Sequence, residues 1–190
     1  CRVPATDHAF AAIAGGGDHA VGLLTNGSIV AWGAAQFGQT QVPQTTSATA
    51  VAAGGTHLLA LLADGTVVAW GRNSAGQCNV PSDLAGVSAI AAGASHSLAL
   101  RANGSVATWG SNSNGQSTPP AGLIGLNAIA AGDVHSLARR ADGGVIAWGS
   151  NTSGQSAVPA NLSGVLAITA GSAHSLAIRA DQTVTAWGRN

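Results

Sequence analysis

The chain has 190 residues, of which 46% are hydrophobic and 7% charged, with seven Arg balanced by seven Asp. So few charges argue against a disordered, self-solvating chain, and a net charge of zero leaves no electrostatic footprint for nucleic acid or an anionic membrane surface. No run of about 18 apolar residues is present, so no membrane-spanning helix is expected.

The organising signal is a period. His recurs at His19, His57, His96, His135 and His174, and Trp at Trp32, Trp70, Trp109, Trp148 and Trp187, both with spacings of 38, 39, 39 and 39 residues. In chain order, the first repeat, near 5–43, holds His19, Asn26-Gly27, Trp32-Gly33, Gly38-Gln39 and Pro43. The second, 44–81, holds His57, Asp64-Gly65, Trp70-Gly71, Gly76-Gln77 and Pro81. The third, 82–120, holds His96, Asn103-Gly104, Trp109-Gly110, Gly115-Gln116 and Pro120. The fourth, 121–159, holds His135, Asp142-Gly143, Trp148-Gly149, Gly154-Gln155 and Pro159. The fifth, 160–190, has His174, the poorer turn pair Asp181-Gln182 and Trp187-Gly188. Residues 1–4 are expected to complete it, because Cys1–Pro4 match Cys78–Pro81.

Each repeat reads as four short strands. In residues 121–159 these are the apolar run LNAIAAG, the alternating HSLARR and GVIAWG, and a weaker edge segment GQSAVP. Asn-Gly and Asp-Gly between the second and third segments favour positive φ and suit tight hairpins. The pattern predicts an all-β protein: a β-propeller of five four-stranded blades in a single domain, 1–190, closed by pairing of the N- and C-terminal segments. Pairing the ends would hide the strand edges at the seam; an open arc of a larger ring would leave two apolar faces bare. Helical periodicity with caps is absent, so an α-solenoid fits poorly.

The rows AIAAGxxHSLALxxDGTVxAWGxNxxGQxxVP resemble the repeat of the regulator of chromosome condensation family over essentially the whole chain. The short loops look most like the bacterial type, such as β-lactamase inhibitor protein II. The resemblance implies a propeller of four-stranded blades, usually seven. It also implies functions that range from GTPase regulation to protein inhibition.

Candidate residues divide into structural and functional rows. The five His and five Trp read as blade-packing rows, since five imidazoles on one axis suit no tetrahedral metal site and large rings pack between sheets. The Gly-Gln row reads as a turn fixed by the Gln amide. Loop residues Phe37, Asn73, Asn112, Asn151 and Asn190 are the candidate ligand-binding positions. Asp18 and Asp133 lie in equivalent loops but on separate blades, so no acid–base pair is expected. Cys1 and Cys78 share a repeat row two blades apart, too far for a disulfide. Arg139 stands where other repeats have Leu or Ile, so it must snorkel or find a carboxylate. Asn26, Asn103, Asn151 and Asn161 each open an Asn-x-Ser/Thr triplet, which marks a glycan site only in a eukaryotic secreted protein. The expected function is a non-enzymatic binding or scaffold module, secreted or at the cell surface, monomeric and without cofactor. Its partner would be a protein or a glycan. The alternatives are a multivalent carbohydrate-binding propeller and a protein-inhibitor or GTPase-regulator type.

Overall fold

The computed structural model describes residues 2–45 and 47–189. The Cys1 and Asn190 readings fall outside the described residues. Five antiparallel three-stranded sheets follow one another, one per repeat. Sheet 1 is β1 (Phe10–Gly15), β2 (His19–Leu24) and β3 (Ile29–Gly33); sheet 2 is β4 (Ala48–Ala53), β5 (His57–Leu62) and β6 (Val67–Gly71). Sheet 3 is β7 (Val87–Ala92), β8 (His96–Arg101) and β9 (Val106–Gly110); sheet 4 is β10 (Leu126–Ala131), β11 (His135–Arg140) and β12 (Val145–Gly149). Sheet 5 is β13 (Val165–Ala170), β14 (His174–Arg179) and β15 (Val184–Gly188).

The second strand is central in every sheet, and in sheets 2 to 4 neighbouring sheets cover both its faces. That is why β5 reads HLLALL, apolar throughout after its His, instead of alternating. Its side chains still point alternately to opposite faces. Leu59 and Leu61 pack forward on Val87, Ala99 and Trp109 of sheet 3, while Leu58 and Ala60 pack back on Val21, Leu23 and Ile29 of sheet 1. Leu98 and Leu100 repeat the forward contact on Leu126, Ala138 and Trp148 of sheet 4. Each fully buried Leu contributes roughly 2 kcal/mol, so stacking of sheet on sheet is a main source of stability.

The hairpins differ in detail from the expected two-residue turns. Gly27 N–H donates to Leu24 O and Leu24 N–H to Ser28 O, which makes a three-residue loop with its glycine in the left-handed region at φ 81°. Asn26 is not left-handed; its Oδ1 accepts from Ser28 N–H at 3.0 Å. Gln182 occupies the glycine position of the last hairpin at φ 66°, a conformation a side chain disfavours.

Two architectural expectations are corrected. The fourth segment of each repeat forms no ladder, so the sheets have three strands and not four. Pro81 and Pro159 remove donors there, and Val80 N–H folds back onto Cys78 O. The segment instead touches the third strand through hydroxyls, as where Thr108 Oγ1 donates to Ser117 O at 2.9 Å. Nor do the terminal segments pair. Among the described residues no backbone hydrogen bond joins 2–9 to 184–189, and the main packing runs between successive sheets. Buried clusters fill the first three junctions, and the five described sheets stand as an open arc whose outer faces are uncovered. Its two ends are bare: Ile13 is 72% exposed, Val184 63% and Ile178 46%, whereas Leu61 and Leu100 in the row of Ile178 are 5% and 4%.

Candidate functional site

The ends of the first strands converge on a channel of about 300 Å³ lined by glycine-rich segments of all five sheets. Its wall is stitched by backbone bonds from sheet to sheet: Gly17 N–H to Gly55 O, Gly55 N–H to Gly93 O, Ala94 N–H to Asp133 O and Asp133 N–H to Ser172 O. Asp133 is the one carboxylate on this wall among the described residues, and it accepts from Ser172 Oγ at 2.6 Å. Asp18 is not part of the wall, so the two do not form a pair.

The His, Trp and Gly-Gln rows meet at the sheet junctions. Between sheets 2 and 3, Ser97 Oγ donates to Gln77 O at 2.9 Å, and Trp109 Nε1 donates to the same carbonyl at 2.9 Å. His57 Nε2 lies 2.9 Å from Ser97 Oγ. The serine hydrogen is already used, so His57 must carry its proton on Nε2 and donate. The set recurs as His96, Ser136, Gln116 and Trp148 between sheets 3 and 4. Burial pushes His57 and His96 down to about 4, so these two imidazoles are neutral donors, and it lowers His135 and His19 as well. His57, His96 and His135 each serve a serine of the next sheet, and no histidine of the row lines the channel. His174, with no sheet beyond it, is exposed.

The serine row carries no mark in the single-residue spacings but was legible as His-Ser at 96–97, 135–136 and 174–175. Sheet 2 has Leu58 there, and His19 is consequently buried with both ring nitrogens unpartnered. Gly54, Gly93, Gly132 and Gly171, which precede the His row, lie flat against the imidazoles, and a Cβ at any of them would collide with the ring.

The candidate ligand-binding residues lie on the loops that leave the third strands. Asn73, Asn112 and Asn151 brace those loops: their Oδ1 atoms accept from Cys78, Ser117 and Ser156 N–H at 2.9, 3.0 and 3.0 Å. Buried Gln39, Gln77, Gln116 and Gln155 hold the other side, with Oε1 accepting from Phe37, Ala75, Asn114 and Ser153 N–H. Phe37 is 38% exposed, and the Arg72 guanidinium of the next loop sits 4.8 Å from its ring centroid. The sequence singles out Phe37 as a candidate but does not couple it to Arg72, because the pair forms across two repeats. Burial pushes the Cys78 thiol up to about 11, which leaves it unreactive. Arg139 neither snorkels clear nor meets a carboxylate; its Nη1 donates to Val165 O at 2.8 Å.

Comparison with known proteins places this geometry among relatives. A family model described as the regulator of chromosome condensation (RCC1) repeat matches residues 10–39, 48–77, 87–116, 127–155 and 165–190. No curated protein matches. The structure is similar to Prp20p from Saccharomyces cerevisiae, whose binding properties to Gsp1p and histones are described, with TM-score 0.82 and 22% identity over 95% of this chain and 58% of that one. It is also similar to the ectodomain of the Physcomitrella patens receptor kinase CR4, with TM-score 0.81 and 26% identity over 96% of this chain and 53% of that one. A third likeness is to the ectodomain of the Arabidopsis thaliana receptor kinase ACR4, with TM-score 0.78 and 20% identity over 98% and 68%. The chain thus spans little more than half the length of the first two.

Proposed function

Starting from the chain's membership of the RCC1 repeat family, we propose that it is a non-enzymatic protein-binding module that engages its partner through the loop face around Phe37 and Arg72. The observation that carries this reading is the stacked, exposed Phe37–Arg72 pair on two loops already fixed by buried Gln39 and Gln77. Aromatic and Arg side chains dominate binding hot spots, and loops ordered in advance lose little entropy on docking. The binding of Gsp1p and histones by the yeast relative supports a protein as partner. The titratable rows serve sheet junctions, which supports a role without chemistry. The two receptor ectodomains and a surface without Lys or Glu support a place outside the cell or on its surface. A glycan reading of the Asn row draws less support, because those side-chain oxygens are taken by their own loops.

Crosslinking mass spectrometry in extract from the source organism should map partner contacts to residues 34–41 and 72–79. With the recovered partner, Phe37→Ala combined with Arg72→Ala should weaken binding tenfold or more by interferometry. Unchanged affinity in the double variant removes the reading, and a glycan-array signal of several sugars per chain replaces it with the carbohydrate-binding one.

A further inference from the structure

Resting on the protein-binding reading above, we infer that the partner meets this loop face with a carboxylate. An Asp or Glu side chain closes on Arg72, and an apolar side chain beside it covers Phe37. Arg72 is exposed, yet its backbone is held on both sides: its N–H donates to Thr56 O at 2.9 Å, and its carbonyl accepts from Cys78 Sγ at 3.3 Å. The side chain is held as well. Nε donates to Ser74 Oγ at 2.9 Å, and the guanidinium carbon lies over the Phe37 ring, 4.8 Å from its centroid. These contacts fix the guanidinium and use only its Nε donor. Both Nη groups are left without an acceptor among the described residues.

The charge is unanswered within the chain. The ion pairs among the described residues join Arg101 to Asp83 and Arg179 to Asp181, both at 3.9 Å. Asp18, whose carbonyl accepts from Ala34 N–H at the root of the Phe37 loop, is out of ion-pair range of Arg72. The loops that leave β3, β6, β9 and β12, at 34–41, 72–79, 111–118 and 150–157, carry a single charged side chain, Arg72. Arg189 stands in the same row three sheets away, but there the preceding loop has Ser153 in place of Phe37. A guanidinium laid over a ring keeps its Nη groups at the rim, where a carboxylate docks through paired, charge-assisted bonds. An apolar neighbour seated on Phe37 excludes water and so strengthens that ion pair. One positive charge matches one carboxylate. A phosphate group brings about two negative charges and a nucleic acid a row of them, and no second cation stands beside Arg72 to meet them.

A random-peptide phage library selected on the intact chain supplies the probe. Selected peptides whose binding is lost with Phe37→Ala should carry Asp or Glu next to an apolar residue. Arg72→Gln should weaken these peptides about tenfold or more by interferometry. Selection on Arg72→Glu should replace their acids with Lys or Arg, while Arg140→Gln, an exposed arginine at the hairpin end, should leave affinity unchanged. All four variants alter exposed side chains and should melt with wild type. Phe37-dependent peptides that lack an acid, or that bind Arg72→Gln as well as wild type, overturn the carboxylate and leave the protein-binding reading standing. Failure to select any Phe37-dependent peptide overturns both.

Discussion

At the scale of single residues, the four-membered junction of His, Ser, Gln and Trp is the smallest unit with its own logic. One carbonyl takes two donors, one hydroxyl both gives and receives, and one imidazole is held neutral. Ser136→Ala breaks the unit at its centre: His96 Nε2–H loses its acceptor and Gln116 O loses one of two donors. Leaving a buried donor unpaired costs about 1–3 kcal/mol, so urea denaturation of Ser136→Ala should show a loss of that size. A midpoint equal to wild type would mean that the hydroxyl bridges nothing of consequence.

The same unit dictates a response to acid. His57 and His96 sit at about 4 in the fold against 6.5 when exposed, so the unfolded chain binds more protons between those values. Their contribution is complete above pH 6.5 and disappears as pH falls toward 4, on the order of 3 kcal/mol each. Denaturation midpoints measured from pH 7.5 to 4.5 should therefore decline steadily below 6.5. A flat profile would contradict neutral, buried imidazoles.

At the scale of elements, the glycines before the His row decide whether sheets can stack. A Cβ at Gly93 would strike the His96 ring and the carbonyl oxygen of Gly132 in the next sheet, which is backbone and cannot yield. Gly93→Ala should cost about 3 kcal/mol or more, while Gly15→Ala, with nothing within 4 Å, should stay within about 0.5 kcal/mol. Thermal denaturation of the pair tests both, and equal losses would rule out the stacking argument. The strands themselves were readable because His and Trp mark their ends in every repeat and Asn-Gly or Asp-Gly marks the hairpin in four of the five. The fourth strand was over-read: GQSAVP alternates as a strand does, but the Gly-Gln turn and the Pro decide against a ladder. The candidate site was half legible. Phe37 stood out by type, whereas the Asn side chains looked available because hydrogen bonds within a loop leave no trace in composition.

At the scale of the whole molecule, the pairing expected from the matching ends is not seen among the described residues, since a matching sequence does not fix the angle between sheets. The open arc sets different sensitivities at equivalent positions. Ile178→Asp, on the bare end, should shift the melting temperature by no more than about 2 °C, whereas Leu100→Asp in the same row should unfold the chain. Comparable damage at both positions would indicate that the end face is covered in solution.

The stitched channel wall, in which each sheet bonds only to its successor, has a consequence for how such genes can change. A closed circle fixes its number of units, because one more or one fewer alters every angle. Here a duplication or deletion of one 39-residue segment between Pro81 and Pro120 would leave every surviving junction as it was. Each junction of the described sheets thus stands on its own pair of neighbours, so a change at one leaves the others as they are.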